Sequence, residues 1–175
     1  MQPFMSGNAA FSRYLKEWSI ETGVGAPAIM VGLPRENEVD SLSEFMDYIK
    51  VTAAIIEKGE YILIGRRKAG PFADMWEFPG GKVEADETPE ECLKRELREE
   101  LNVEAAIGEF FLSSKHAYSH AAIELLAYKA KIIGGAFCLH DHKEIRWVPA
   151  EDLHSYAFPA ADRPIIEKLI TSLLP

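Results

Sequence analysis

The chain is poor in cysteine, in long apolar runs and in positive charge. Two cysteines in 175 residues, Cys92 and Cys138, make no disulfide framework. Both read as reduced thiols, so the cytoplasm is the expected compartment. No run of about 18 apolar residues occurs, and no membrane span is expected. The opening Met1-Gln2-Pro3-Phe4-Met5 lacks a basic segment followed by an apolar one, so it does not read as a secretory signal. The formal charge is −9, from 28 Asp and Glu against 19 Lys and Arg. That balance argues against broad duplex nucleic-acid binding, which needs a basic surface. It leaves room for a nucleotide substrate whose charge is met by metal ions. No internal repeat or low-complexity tract is present.

With 47% hydrophobic residues, the chain can build one domain with a sizeable core and an appendage. Residues 50–175 read as an α/β domain. Val51–Ile56 and Tyr61–Gly65 are strand candidates, joined by Lys58-Gly59 into a hairpin. Arg66 to Asp74 reads as loop. Further strands are expected over Ala105–Ser113, Ala122–Ile132 and Glu144–Val148. A short helical turn begins at Pro149. Pro164–Leu174 reads as an amphipathic helix with Ile165, Ile166, Leu169, Ile170 and Leu173 on one side. Residues 1–49 form an N-terminal extension whose role stays open between packing, dimerisation and a lid. Within it, Asn8–Glu21 reads as a helix and Ser41-Leu42-Ser43-Glu44 as the start of another, through Tyr48.

The stretch from Gly80 to Val103 carries the chemistry. Thr88, Pro89 and Glu91 spell a capping box with Pro at the first helical position. A helix should therefore start at Thr88 and run to Leu101. On it, Glu96, Glu99 and Glu100 share an arc of roughly 100°. Leu93, Leu97 and Leu101 fall on the neighbouring arc and should face the core. Acidic residues on a helix usually make a solvated face with ion pairs three and four apart. That accounts for Glu90, Glu91, Lys94 and Arg98. It does not account for like charges at the same spacing beside a Gly-Gly turn. Such carboxylates repel unless a hard cation sits among them, and their oxygens suit Mg²⁺ or Mn²⁺. Mg²⁺ binds through a few carboxylates plus substrate phosphates, which points to metal-assisted hydrolysis of a diphosphate linkage.

The same residues resemble the Nudix box. Gly81, Glu87, Arg95, Glu96, Leu97, Glu99, Glu100 and Val103 fit its spacing, and Asn102 stands where the pattern has Gly. Asn is the best substitute for Gly in the left-handed conformation that follows a helix. The resemblance implies the Nudix fold over residues 50–175, a mixed β-sheet sandwiched between α-helices, and an enzyme that hydrolyses phosphoanhydrides. It implies metal-binding carboxylates at Glu99 and Glu100, with Glu96 as a further ligand or the general base. Glu87 and Arg95 would form an orienting ion pair, and the Gly80 carbonyl would be a backbone metal ligand. Lys82 is either a phosphate contact or a solvated loop lysine. Mg²⁺ is the implied cofactor, with Mn²⁺ as a substitute. The implied partner is a nucleotide, bound by a monomer or homodimer.

Flanking residues resemble the MutT-like and CTP-pyrophosphohydrolase-like branch. The carriers are Trp76-Glu77-Phe78-Pro79-Gly80-Gly81-Lys82, the hairpin ending in Arg66-Arg67, and His140-Asp141-His142-Lys143-Glu144-Ile145-Arg146-Trp147. In that branch an acidic residue six before the Trp supplies a further metal ligand. Asp141 holds this place, and Glu144 is the alternative. His140 and His142 read as loop or strand-edge residues. Arg67 is a candidate substrate contact. Asp162 matches the position that hydrogen-bonds the nucleobase, or else it caps the last helix. Phe78 and Tyr118 are candidate stacking aromatics, with core packing the rival role for Phe78. An ionised Asp162 accepts but cannot donate, which favours cytosine with its N4 amino group over 8-oxoguanine. A raised pKa would undo that preference. The implied reaction is NTP plus water giving NMP and pyrophosphate, on CTP, dCTP or an oxidised nucleotide. ADP-ribose or a nucleotide sugar is the alternative substrate, and a non-catalytic nucleotide-binding module is a third reading.

Overall fold

The computed structural model describes residues 48–70, 72–118 and 121–172. The helices expected within residues 1–47, and Leu173, lie outside the described residues. Among the described residues, those of 48–116 and 123–172 form one compact unit, with 117–118 and 121–122 outside it.

Strands β1 (Ile49–Lys58) and β2 (Tyr61–Arg67) form the expected hairpin, turning at Gly59 with φ +63°. Arg66 and Arg67 extend β2, contrary to the loop expected there. The reason is pairing on both sides. Gly65 and Arg66 face Glu77 and Trp76 of β3 (Trp76–Glu77), while Arg66 and Arg67 face Glu144 and His142 of β6 (His142–Pro149). The long strands β4 (Val103–Ala117) and β5 (Ala122–Gly135) complete a six-stranded mixed sheet. Its order is β3-β2-β1-β5-β4, with β6 on the other edge of β2 and β1 parallel to β5.

Strand β1 changes partner along its length. Near the turn, Glu57 and Lys58 pair with β2. Further back, the amides of Thr52 and Ala54 donate to Gly81 O and Pro79 O, both at 2.8 Å, and Val83 N–H donates to Lys50 O. The segment running on from β3 is thus a wedge that separates β1 from β2. Because this edge is closed, Ala53, Ala54, Ile55 and Ile56 can all be buried, and the strand reads as a continuous apolar run.

Helix α1 (Pro89–Leu101) begins as its sequence dictates. Thr88 Oγ1 accepts from Glu91 N–H, and the Glu91 carboxylate accepts from Thr88 N–H at 2.8 Å. It ends at Asn102, which takes the left-handed conformation (φ 56°, ψ 38°) expected of a residue standing in for Gly. Its amide returns to Arg98 O, and its side chain donates to Ala136 O at 2.9 Å. Leu93, Leu97 and Leu101 are fully buried against Ala54, Ile56, Leu63, Val103 and Tyr128. Each such burial is worth about 1.5–3 kcal/mol. This anchoring fixes the rotation of α1 and so the direction of its glutamates. A 3-10 helix (Ala150–Ser155) stands at the expected helical turn, and α2 (Arg163–Thr171) buries Ile165, Ile166 and Leu169. No helix among the described residues is long and apolar enough to cross a membrane.

Candidate active site

The wedge and α1 face each other, and Gly80 and Gly81 are the contact points. Pro79 and Gly81 turn their carbonyls to β1, so the Gly80 N–H points the other way and donates to Glu100 Oε2 at 3.1 Å. A side chain at Gly80 (φ +152°) would meet Thr52 O at 2.2 Å. A Cβ on Gly81 would meet the Glu96 carboxylate at 2.3 Å. Gly80 therefore lets the wedge lie directly against β1, and Gly81 lets the acidic face of α1 lie directly on the backbone of the wedge. Buried Thr52 locks this arrangement. Its hydroxyl donates to Gly81 O at 3.2 Å and lies 3.4 Å from the Cys92 thiol. Burial pushes that thiol up to about 11, so Cys92 is an inert part of the floor.

The glutamates divide into two groups. In the first, Arg95 grips Glu87 with two hydrogen bonds, of 2.7 and 3.1 Å. The same guanidinium donates to Glu96 at 2.8 Å, to Glu99 at 3.1 Å and to Lys82 O at 3.3 Å. Glu91 is absent from this network because it serves the helix cap. The bonds from Arg95, with the Glu84 amide, hold the Glu87 carboxyl down at about 2. Burial pushes the Glu96 carboxyl upward, with Arg95 opposing. Glu99 is the exposed member, its side chain 58% accessible.

The second group surrounds Glu100, which is only 5% exposed. Glu77 accepts from Arg67 at 2.7 Å and contacts His142 Nε2 at 3.1 Å. A carboxylate only accepts, so Nε2 carries the proton in this contact. Ligand atoms of Glu77, Glu100 and His142 all lie within 4.8 Å of one another. Burial pushes the Glu100 carboxyl up to about 8, and the nearby Glu77, Glu96 and Asp141 add to the effect. A buried carboxyl raised by burial and by neighbouring carboxylates is one that a divalent cation would relieve.

Asp162 lies beside this second group. It occupies the N-cap position of α2 but makes no capping hydrogen bond. Its carboxyl is buried instead and accepts from the Phe78 amide. Burial, reinforced by the facing Glu77, pushes it up to about 8. The expectation of an ionised, accept-only Asp162 is therefore corrected. Desolvation beside a second carboxylate favours its protonated form.

The remaining expected residues fall unevenly. Asp141 is close enough to raise Glu100, whereas Glu144 is bound to Arg146 at 2.5 Å. His142 is fully buried at the start of β6, its ring over Gly65, which is the strand-edge alternative. Phe78 is 4% exposed and packs on Phe158, which is the core role. Arg67 is engaged with Glu77. The Lys82 side chain is exposed, while its backbone bridges to Val51. Tyr118 lies at the β4–β5 turn, outside the compact unit that holds the glutamates. Sequence reasoning missed Glu77 as a site residue. Its only signal was an acidic residue directly before Phe78-Pro79-Gly80-Gly81.

The family model described as NUDIX domain matches residues 51–168. The CTP pyrophosphohydrolase of Escherichia coli is 41% identical over 123 residues, covering 70% of this chain and 91% of that protein. The 8-oxo-dGTP diphosphatase of Haemophilus influenzae is 36% identical over 124 residues, with 70% and 91% covered. The solution structure of the E. coli ORF135 protein matches with a TM-score of 0.66 at 38% identity, covering 73% of this chain and 92% of that one.

Proposed function

The chain belongs to the Nudix family, and from that premise we propose a Mg²⁺-dependent nucleoside triphosphate pyrophosphohydrolase that releases NMP and pyrophosphate. The hydrolase domain is taken as residues 50–175, working in the cytoplasm. The observation that carries the reading is Glu100 buried against the Gly80 amide, with Glu96 seated on Gly81. This places two carboxyls and a backbone turn on one floor.

Glu96, Glu99 and Glu100 would hold the cation, with the Gly80 carbonyl and Asp141 as further ligands. The cation supplies phosphate charge neutralisation and activation of water. The protein does the rest. Arg95 orients Glu96 and Glu99 from below and is itself fixed by Glu87. Glu96, partly desolvated, is suited to take a proton from the attacking water. Lys82, exposed at the rim, is suited to the departing pyrophosphate.

Asp162 accounts for base choice. A protonated carboxyl donates through its hydroxyl and accepts through its carbonyl. Cytosine offers an N4 donor beside the N3 acceptor. 8-Oxoguanine offers an N7–H donor beside the O6 acceptor. Unmodified guanine offers only acceptors at N7 and O6. One neutral acid thus serves a cytosine nucleotide and, on the N7/O6 edge, an oxidised purine in preference to dGTP. The two named relatives act on those two kinds of base. Phe78 contributes its amide, which orients Asp162, rather than its ring.

The test is a panel of CTP, dCTP, 8-oxo-dGTP, dGTP and ADP-ribose with product identification. Pyrophosphate should be released from the first three. Glu100→Gln and Glu96→Gln should each lower kcat by about 10²–10⁴-fold. Near-normal rates in both variants, or turnover of ADP-ribose alone, would sink the proposal.

A further inference from the structure

Strand β3 is only two residues long, yet the two amides that hold the site's carboxyls lie directly after it. Phe78 N–H reaches Asp162, and Gly80 N–H reaches Glu100. A two-residue ladder is a weak anchor for this task. The following segment is held to β1 through Pro79 O and Gly81 O, and the Glu77 side chain adds cross-links to β2 and β6. One oxygen accepts from Arg67 of β2, and the other meets His142 of β6. His142 in turn is seated on Gly65, where any side chain would strike its ring at 2.3 Å. Three strands are thereby tied at one carboxylate, immediately before the two amides.

This network is poor as a stabilising device. Arg67 Nε and His142 Nδ1 are buried without a hydrogen-bond partner among the described residues. Glu77 also stands beside two other carboxyls, Glu100 and Asp162. A group retained at such a cost in repulsion and unsatisfied polar atoms is better explained by what it positions. Phe78 is adjacent to Glu77, and Pro79 stiffens the link to Gly80, whose own conformation is fixed by Thr52. Movement of the carboxylate is therefore passed to both amides.

We propose that Glu77 is a positioning residue that sets both halves of the site together, the Gly80 amide against Glu100 and the Phe78 amide against Asp162. The proposal rests on the reading of Glu100 as a metal carboxylate and Asp162 as the base reader. It predicts that cation binding and base binding fail together when Glu77 is altered.

The experiment measures binding rather than turnover. Mn²⁺ binding is followed by electron paramagnetic resonance. CMP and 8-oxo-dGMP binding are followed by calorimetry in EDTA, so that the cation cannot mediate the effect. Glu77→Gln should weaken Mn²⁺ about 10–100-fold, as outer residues of metal sites do. It should weaken both nucleotides in parallel and reduce the preference for them over dGMP. Glu57→Gln, on the far end of the hairpin, should change none of these. If Glu77→Gln does not fold, His142→Gln, which loosens one arm of the network, should show the same paired loss at smaller size. A folded variant that binds Mn²⁺ and nucleotides within twofold of wild type overturns the proposal. So does a loss confined to one ligand, or a wild-type protein that binds neither. Wild-type binding without hydrolysis would refute the proposed reaction and leave the positioning test intact.

Discussion

Replacing Asp162 by Asn keeps the shape of a buried carboxyl and removes its titration. The folded protein holds Asp162 protonated up to about pH 8. The unfolded chain ionises it near the ordinary value of about 4. Between these limits the folded state carries one more proton than the unfolded state. Stability from this group is therefore fully present below about pH 4 and is lost as the pH rises towards 8. The slope is at most about 1.4 kcal/mol per pH unit, so moving from pH 5.5 to 7.5 should cost about 3 kcal/mol. Glu100 acts in the same direction, but it is present in both proteins and cancels in the difference. Urea denaturation in EDTA at several pH values gives the two curves. Wild type should lose stability across this window by about 3 kcal/mol more than Asp162→Asn. The variant should keep both substrates, because Asn also offers one donor and one acceptor. Parallel curves would mean that Asp162 is ionised in the folded protein, and the shared recognition of cytosine and 8-oxoguanine would fall with it.

Gly80→Ala should lose at least about 2 kcal/mol in the same assay, because its Cβ meets the Thr52 carbonyl in a conformation few side chains adopt. Thr88→Ala removes one half of the capping box and should cost about 1 kcal/mol while leaving kcat close to wild type, since the cap lies at the other end of α1 from Glu99 and Glu100. Equal losses of kcat and stability in Thr88→Ala would show that the start of the helix also governs the glutamates.

What could be read from the sequence was local. The start of α1, its apolar seam, the role of Asn102 and the Glu87–Arg95 pair all depend on residues within about four turns of helix or one short loop. The second group could not be read in this way. Glu77 and His142 are 65 residues apart and meet only because β3 and β6 pair with opposite edges of β2. Asp162 reads equally as a cap and as a base reader from the sequence, and the direction of its side chain removes the capping bond. Arg66 and Arg67 looked like loop because charged residues carry no strand signal; pairing on both edges overrides that. The ends of β4 and β5 ran beyond the expected limits for a similar reason. Backbone pairing continues there where alternation of apolar and polar residues has ceased.

The change of partner along β1 has a mechanical consequence. No hydrogen-bond ladder runs unbroken from β1 to β2 across the region under Glu100. The sheet is two plates that share a hairpin at one end and are held apart at the other by the segment that follows β3. A push on Gly80 from the ligand side is carried to one plate by the amides of Thr52 and Ala54, and to the other by the short β3 ladder and the side chain of Glu77. A load on the floor of the site is therefore divided between the long β1–β5 and β2–β6 ladders rather than carried by one.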